Sequence, residues 1–212
     1  MCGRFTVLTW DETAQVAREL QMDSPIYPHA PWPATPIDRN DAFPGSRANI
    51  IVDRGGQTLV PEELTWGFEL PESGKLVFNT RSETASTSRM WSEAYREGRC
   101  IVPAFSFYEP HRSETAALPS GRRGKQLYRL TVPNGLILMA GLCQAGRFSI
   151  LTCEPDEVVG TIHDRMPLLL SRASALEWMA GDEALSCRAD EHLDAHALYP
   201  ESTGGQTQLG LF

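Results

Sequence analysis

The residue with the most distinctive chemistry is Cys2, in Met1-Cys2-Gly3-Arg4-Phe5. Removal of Met1 would leave a free α-amine and a thiol on one residue. Such a 1,2-aminothiol can condense with an aldehyde through nitrogen and then close a ring through sulfur, which an internal cysteine cannot do. The reference pKa of an α-amine is near 7.8 and that of lysine about 10.4, so at about pH 7.4 roughly a quarter of such amines are unprotonated, against about 0.1 % of lysines. About a tenth of an unperturbed thiol is thiolate at that pH. The same residue could instead attack an amide carbonyl with its own amine as base, the chemistry of N-terminal-nucleophile hydrolases and autopeptidases.

Three further segments carry reactive side chains: Phe78-Asn79-Thr80-Arg81-Ser82-Glu83, preceded by Trp66-Gly67; Arg99 to Glu109; and Ile162-His163-Asp164-Arg165-Met166-Pro167. Glu109 ends a run of aromatic and apolar residues, surroundings that raise a carboxyl pKa and fit it for acid and base work near neutrality. A structural salt bridge is the plainer reading. His163 titrates in the working range. Arginine's planar fork suits phosphates, and Arg4 and Arg81 could serve so, or could form internal ion pairs with an acid such as Glu83.

The elements that must position these groups are mostly strands. Phe5–Leu8 reads as a strand, and Thr9-x-x-Glu12 as a capping box before a helix from Trp10 to Leu20. Residues 23–46, with six prolines, read as an irregular loop. Asn49–Val52 and Gln57–Val60 flank Asp53-Arg54-Gly55-Gly56 as a hairpin, and residues 64–82 read as loop and short strand. Met90–Glu97 is a short helix ended by Gly98. Arg99–Val102 and Phe105–Glu109 are β-rich, and 111–124 reads as a polar loop. Strands at Gln126–Val132, Leu136–Ala140 and Phe148–Thr152 follow, then helix at Pro155–Gly160, extended chain at Pro167–Leu170 and helix at Ala173–Met179. From about Ser202 the chain reads as a disordered tail. Strands close together in sequence with few helices give an α+β, mostly antiparallel fold.

Composition bounds the function. The 212 residues suit one domain, with an apolar fraction (42 %) large enough for a core. No apolar run reaches membrane-spanning length and no signal peptide is evident, so a cytoplasmic protein is expected. The five cysteines then read as reduced thiols. The net charge of −8 is unevenly distributed. Residues 171–212 hold seven acids and two bases, whereas 79–130 hold nine bases and five acids. The basic middle keeps nucleic acid open as a partner. Cys187, His192 and His196, the two histidines one helical turn apart, offer at most a partial zinc set, so no metal or other cofactor is expected.

Taken together, the segments resemble the SRAP (SOS response-associated peptidase) family, from Cys2 to about Met179. The resemblance implies a single α+β domain over residues 1–201 with a barrel-like β core and flanking short helices. It implies recognition of abasic sites in single-stranded DNA, a thiazolidine link to Cys2 after Met1 removal, and association with the nucleoid while bound. It implies Glu109 as the group that opens the sugar and shuttles protons, His163 as its partner at the sugar oxygen, and Asn79 as an orienting hydrogen-bonder. Arg4 and Arg81 become phosphate ligands, and Trp66 a residue stacking near the DNA; ordinary core packing is the alternative for Trp66. An imine intermediate would also permit β-elimination, hence lyase activity. Asp41, Glu69 and Pro110 depart from the family's usual pattern, and Asp41 near a DNA path would repel phosphate. A monomer is expected. The alternatives are an N-terminal-nucleophile cysteine hydrolase or autopeptidase, and a non-catalytic single-stranded-DNA-binding module.

Overall fold

A computed structural model of the chain describes residues 2–22, 40–55, 58–133, 135–181 and 193–199. In chain order the elements are β1 (Phe5–Val7), α1 (Trp10–Gln21), β2 (Asp41–Ala42), β3 (Arg47–Asp53), β4 (Leu59–Trp66), β5 (Phe68–Glu69), β6 (Leu76–Val77), β7 (Asn79–Arg81), α2 (Ser82–Ala85) and α3 (Ser92–Glu97). Then come β8 (Arg99–Ala117), β9 (Arg123–Thr131), β10 (Ile137–Gln144), β11 (Arg147–Cys153), α4 (Glu157–Ile162), β12 (Met166–Pro167), β13 (Leu169–Leu170), α5 (Arg172–Ala180) and β14 (Asp194–Ala197).

Twelve of the strands form one mostly antiparallel sheet, while β5 and β6 pair separately. Along the sheet, β10, β11, β4, β3 and β8 are successive neighbours, and β8 also pairs with β10, so the circuit closes into a ring. The fold class expected from the sequence is the one observed. The parallel contacts are those of β11 with β4 and with β7.

β8 explains the ring. From Cys100 to Glu109 every residue is buried: β10 and then β9 line one edge, β3 and then β1 the other, and α3, α4 and α5 pack against the strand. A strand covered on both faces needs a nearly continuous apolar run, which Cys100-Ile101-Val102-Pro103-Ala104-Phe105 supplies. Pro103 does not split the strand, contrary to the sequence reading. It sits where the second edge changes partner, after the Ile51–Ile101 pair with β3 and before the Val7–Ala104 pair with β1. No backbone donor is needed on that side. The strand also runs on to Ala117 past a bulge between Pro110 and Thr115, so most of the expected 111–124 loop is a hairpin with β9.

α1 begins as expected. Thr9 and Glu12 form both halves of the capping box, and Thr13, Val16, Ala17 and Leu20 form one buried stripe against β3 and β4. α5 is capped by Ser171 and ends at Gly181. β14 pairs with β9 and holds His196, so His196 lies in a strand and not on a helical face. His192, Cys187 and the expected tail from Ser202 lie outside the described residues. Among the described residues no cluster of metal-binding side chains occurs, and no helix is long and apolar enough to cross a membrane. Cys2, Cys100, Cys143 and Cys153 are unbridged, with Cys143 half-buried.

Gly98, after α3, is a steric requirement. A Cβ there would lie 2.0 Å from the Cys143 carbonyl oxygen, at the point where the Cys143 N–H donates to the Gly98 carbonyl at 2.6 Å. Gly98→Ala is expected to destabilise by roughly 1–3 kcal/mol, the range for overpacking. A thermal midpoint within about 1 °C of wild type would contradict this contact.

Candidate active site

The first residues are fixed by β8. Phe5 pairs with Phe107 in β1–β8, and the Tyr108 N–H donates to the Arg4 carbonyl at 3.0 Å. Continuing that register sets Gly3 opposite Glu109, which brings Cys2 to the end of the buried run. Cys2 is completely buried. Its Sγ lies 3.6 Å from the Arg4 carbonyl oxygen. Burial first, and the negative charge of Glu109 second, push its thiol well above the ordinary cysteine range. The tenth of thiolate expected from an unperturbed cysteine is therefore not available here.

Asn79 reaches the same point from β7, its Nδ2 donating to the Cys2 carbonyl at 2.8 Å. Asn79 Oδ1 is buried and has no hydrogen-bond partner among the described residues. Alternation along β7 puts Thr80 on the opposite face, where its hydroxyl meets that of Ser149 at 2.7 Å, and leaves Arg81 on the Asn79 side, exposed.

Glu109 is fully buried. Burial raises its carboxyl to about 7, and the positive amino terminus pulls the other way without cancelling that rise. His163 caps the C-terminus of α4. Its ring is held below the usual histidine range, by burial first and then by the charge of the amino terminus. The Arg165 N–H donates to His163 Nδ1 at 3.0 Å, and Asp164 Oδ1 lies 2.9 Å from the same nitrogen. The Arg165 carbonyl oxygen is also 3.2 Å from Nδ1, so that nitrogen faces one donor and two acceptors, and these contacts select neither tautomer of the neutral ring.

β11 ties the far side of the site together, pairing with Asn79 through Ile150 and with Met166 through Cys153. Arg165 locks that arrangement. Its Nη1 and Nη2 donate to the two oxygens of Glu83 at 2.6 and 2.9 Å, which holds the Glu83 carboxyl below its ordinary range.

Of the four residues nominated from sequence, Asn79 bonds to the Cys2 carbonyl, the charge of Glu109 acts on the Cys2 thiol, and the charge of the amino terminus, carried by Met1 in the unprocessed chain, acts on Glu109 and His163. Arg4 is ion-paired, but with Asp41 and not Glu83. Its Nε and Nη2 lie 2.7 and 2.6 Å from Asp41 Oδ2, and Thr6 Oγ1 donates to Asp41 Oδ1 at 2.7 Å. Both oxygens of Asp41 are thus occupied from within the fold, so Asp41 presents Arg4 and does not stand as a free charge. Asp41 and the Arg165–Glu83 pair were not legible as a site, because only the tertiary fold joins residues so distant in sequence.

Trp66 is completely buried. Its Nε1 donates to the Phe78 carbonyl at 2.9 Å, and its ring packs against Phe5, Phe78 and Phe148 at centroid distances of 4.9, 5.6 and 6.2 Å. The indole offers no face to a base in this structure. It instead packs together the strands that carry Cys2 and Asn79.

The pattern of the SOS response associated peptidase (SRAP) family matches residues 1–202. The chain belongs to the SRAP family. The abasic site processing protein YedK of Escherichia coli is 30 % identical to this SRAP chain over 190 residues, covering 84 % of the chain and 79 % of YedK. The abasic site processing protein YoqW of Bacillus subtilis is 26 % identical over 194 residues, covering 84 % of the chain and 80 % of YoqW. A crystal structure of a Bordetella bronchiseptica protein shares the SRAP chain's fold with a TM-score of 0.66 at 21 % identity, covering 94 % of this chain and all of that one.

Proposed function

We propose that this protein senses and processes abasic sites in single-stranded DNA, capturing the sugar aldehyde covalently at Cys2 once Met1 is removed. The observation that carries the reading is the buried Cys2, tethered by Asn79 through its carbonyl and lying within the field of a carboxyl that titrates near neutrality. The names of the relatives agree with it.

Protonated Glu109 gives its proton to the ring oxygen of the closed sugar, and the C1 hydroxyl releases its proton to solvent water, which frees the aldehyde and leaves Glu109 as the carboxylate. The Cys2 amine adds to the carbonyl carbon and water leaves, giving an imine. The thiol then adds to the imine carbon. Its proton passes through the Glu109 carboxylate to the former imine nitrogen, and a thiazolidine remains. A protonated sulfur makes nitrogen the first nucleophile. His163 supplies the proton to the departing oxygen. Arg81, exposed beside Asn79, and the outer edge of Arg4 hold flanking phosphates. Lys125, whose charge reaches His163, extends that path along the β8–β9 hairpin. The hydrolase alternative calls for an activated thiolate, which the burial of Cys2 opposes.

Incubating Met1-processed protein with an oligonucleotide bearing one abasic site should yield a denaturation-resistant species. Its mass should be that of the two partners less one water. Retained DNA binding with no such species overturns covalent capture.

A further inference from the structure

The burial of Trp66 leaves open where an unstacked base beside the lesion would rest. The described residues offer one aromatic side chain next to the site that is both solvent-exposed and rigidly mounted. Phe43 is 50 % exposed. It follows β2, whose Ala42 pairs with Phe5, and continuing that register brings Phe43 opposite Arg4. The Arg4 guanidinium carbon lies 5.7 Å from the Phe43 ring centre and 4.2 Å from that of Tyr108.

The mounting is a turn with the residues its geometry demands. Phe43-Pro44-Gly45-Ser46 closes with the Ser46 N–H donating to the Phe43 carbonyl at 2.9 Å. Gly45 takes a φ of +93°, the third-position conformation of a type II turn, with proline before it. The Ser46 hydroxyl donates to the Phe43 carbonyl at 2.7 Å and accepts from the Phe43 N–H at 2.9 Å. Two more bonds pin the turn to the end of β4, from the Gly45 N–H to the Trp66 carbonyl at 2.7 Å and from the Trp66 N–H to the Ser46 carbonyl at 2.9 Å. An exposed phenyl ring on an ordinary loop needs no explanation. Here it stands on a turn fixed by five hydrogen bonds, beside a guanidinium held by Asp41.

We infer that Phe43 is a stacking platform for a nucleobase flanking the captured sugar, with Arg4 holding the adjoining phosphate. This rests on the single-stranded-DNA reading above and adds to it the side chain that receives the base. Stacking tolerates any base, because each presents a π-face, so Phe43 gives grip without sequence preference.

The test compares wild type, Phe43→Ala, Phe43→Leu and Arg4→Ala on an undamaged single-stranded oligonucleotide carrying a fluorescent base analogue, across a salt series. Phe43→Ala and Phe43→Leu are each expected to weaken binding by about tenfold, within the range measured for base–aromatic stacking, and to lose quenching of the analogue. The salt slope should stay that of wild type. Arg4→Ala should lower the slope by about 0.7, the value for one phosphate contact on a single strand. Unchanged affinity and quenching in Phe43→Ala overturn the platform, as does leucine performing like phenylalanine. The parallel adduct assay separates the two proposals. Normal adduct formation with unaltered binding in Phe43→Ala sinks only the platform, whereas no adduct in wild type with a clear Phe43 effect sinks only covalent capture.

Discussion

Cys2→Ala, prepared with Met1 removed, is expected to give no adduct that survives denaturation on an abasic single strand. It should still bind the strand, because the phosphate contacts assigned to Arg4 and Arg81 are unchanged. The variant keeps its α-amine, so the first half of the reaction is intact. It should form an imine that becomes visible only when borohydride reduces it, and strand cleavage by β-elimination should rise because no sulfur diverts the imine. In the reductant-free assay the fall should exceed about 100-fold, since the ring closure is removed outright and not merely slowed. A stable adduct in Cys2→Ala without reductant would disprove closure through sulfur. Loss of the borohydride-trapped species as well would mean that the amine is not the nucleophile.

Glu109→Gln carries the second large effect, and its two consequences point in opposite directions. Capture should slow by about 10²–10⁴, the usual worth of a positioned acid–base group. The same change should make the protein more stable at pH 8. The Glu109 carboxyl sits at about 7 in the folded chain, because burial disfavours its charge, while an unfolded chain releases the proton near 4.3. Below about pH 4 both states hold the proton and the difference vanishes. As pH rises from there to about 7, the unfolded state alone has lost it, so stability falls, and above 7 the loss is complete and constant. Its full size is on the order of 3 kcal/mol. Glutamine carries no charge to bury, so Glu109→Gln should melt above wild type at pH 8 and close to it at pH 4. A melting profile that parallels wild type across this range would contradict the buried, near-neutral carboxyl. The wild-type capture rate should also bend near pH 7, and that bend should be missing from the variant.

How much of this could be read in advance depends on whether the signal was local. α1 was legible from Thr9 and Glu12 together with the stripe at Thr13, Val16, Ala17 and Leu20, all within one short segment. The β3–β4 hairpin, α4 and α5 were legible for the same reason. β8 was not, because Pro103 reads as an interruption unless the change of edge partner is known. Residues 111–117 read as loop because they are polar, and β14 carries too short a pattern to read as a strand. They are extended because β9 offers them hydrogen bonds. The reactive residues could be nominated from type and motif, and the fold brings Asn79 to Cys2 as the proposal needs. Trp66 could not be assigned, since a tryptophan in a core and one on a surface look alike in sequence. The Arg4–Asp41 pair spans 37 positions and involves no local pattern. Phe43 was hidden among prolines as one residue of an apparent loop.

Because β8 is buried from Cys100 to Glu109 and has strand neighbours on both edges as far as Phe107, the backbone N–H groups of this stretch, Pro103 having none, should exchange with solvent deuterium only when the entire sheet comes apart. The reactive carboxyl is thereby mounted two residues beyond the slowest-exchanging stretch of the molecule, and breathing of that strand cannot admit a ligand. Whatever accommodation an incoming polymer requires must come from the rim.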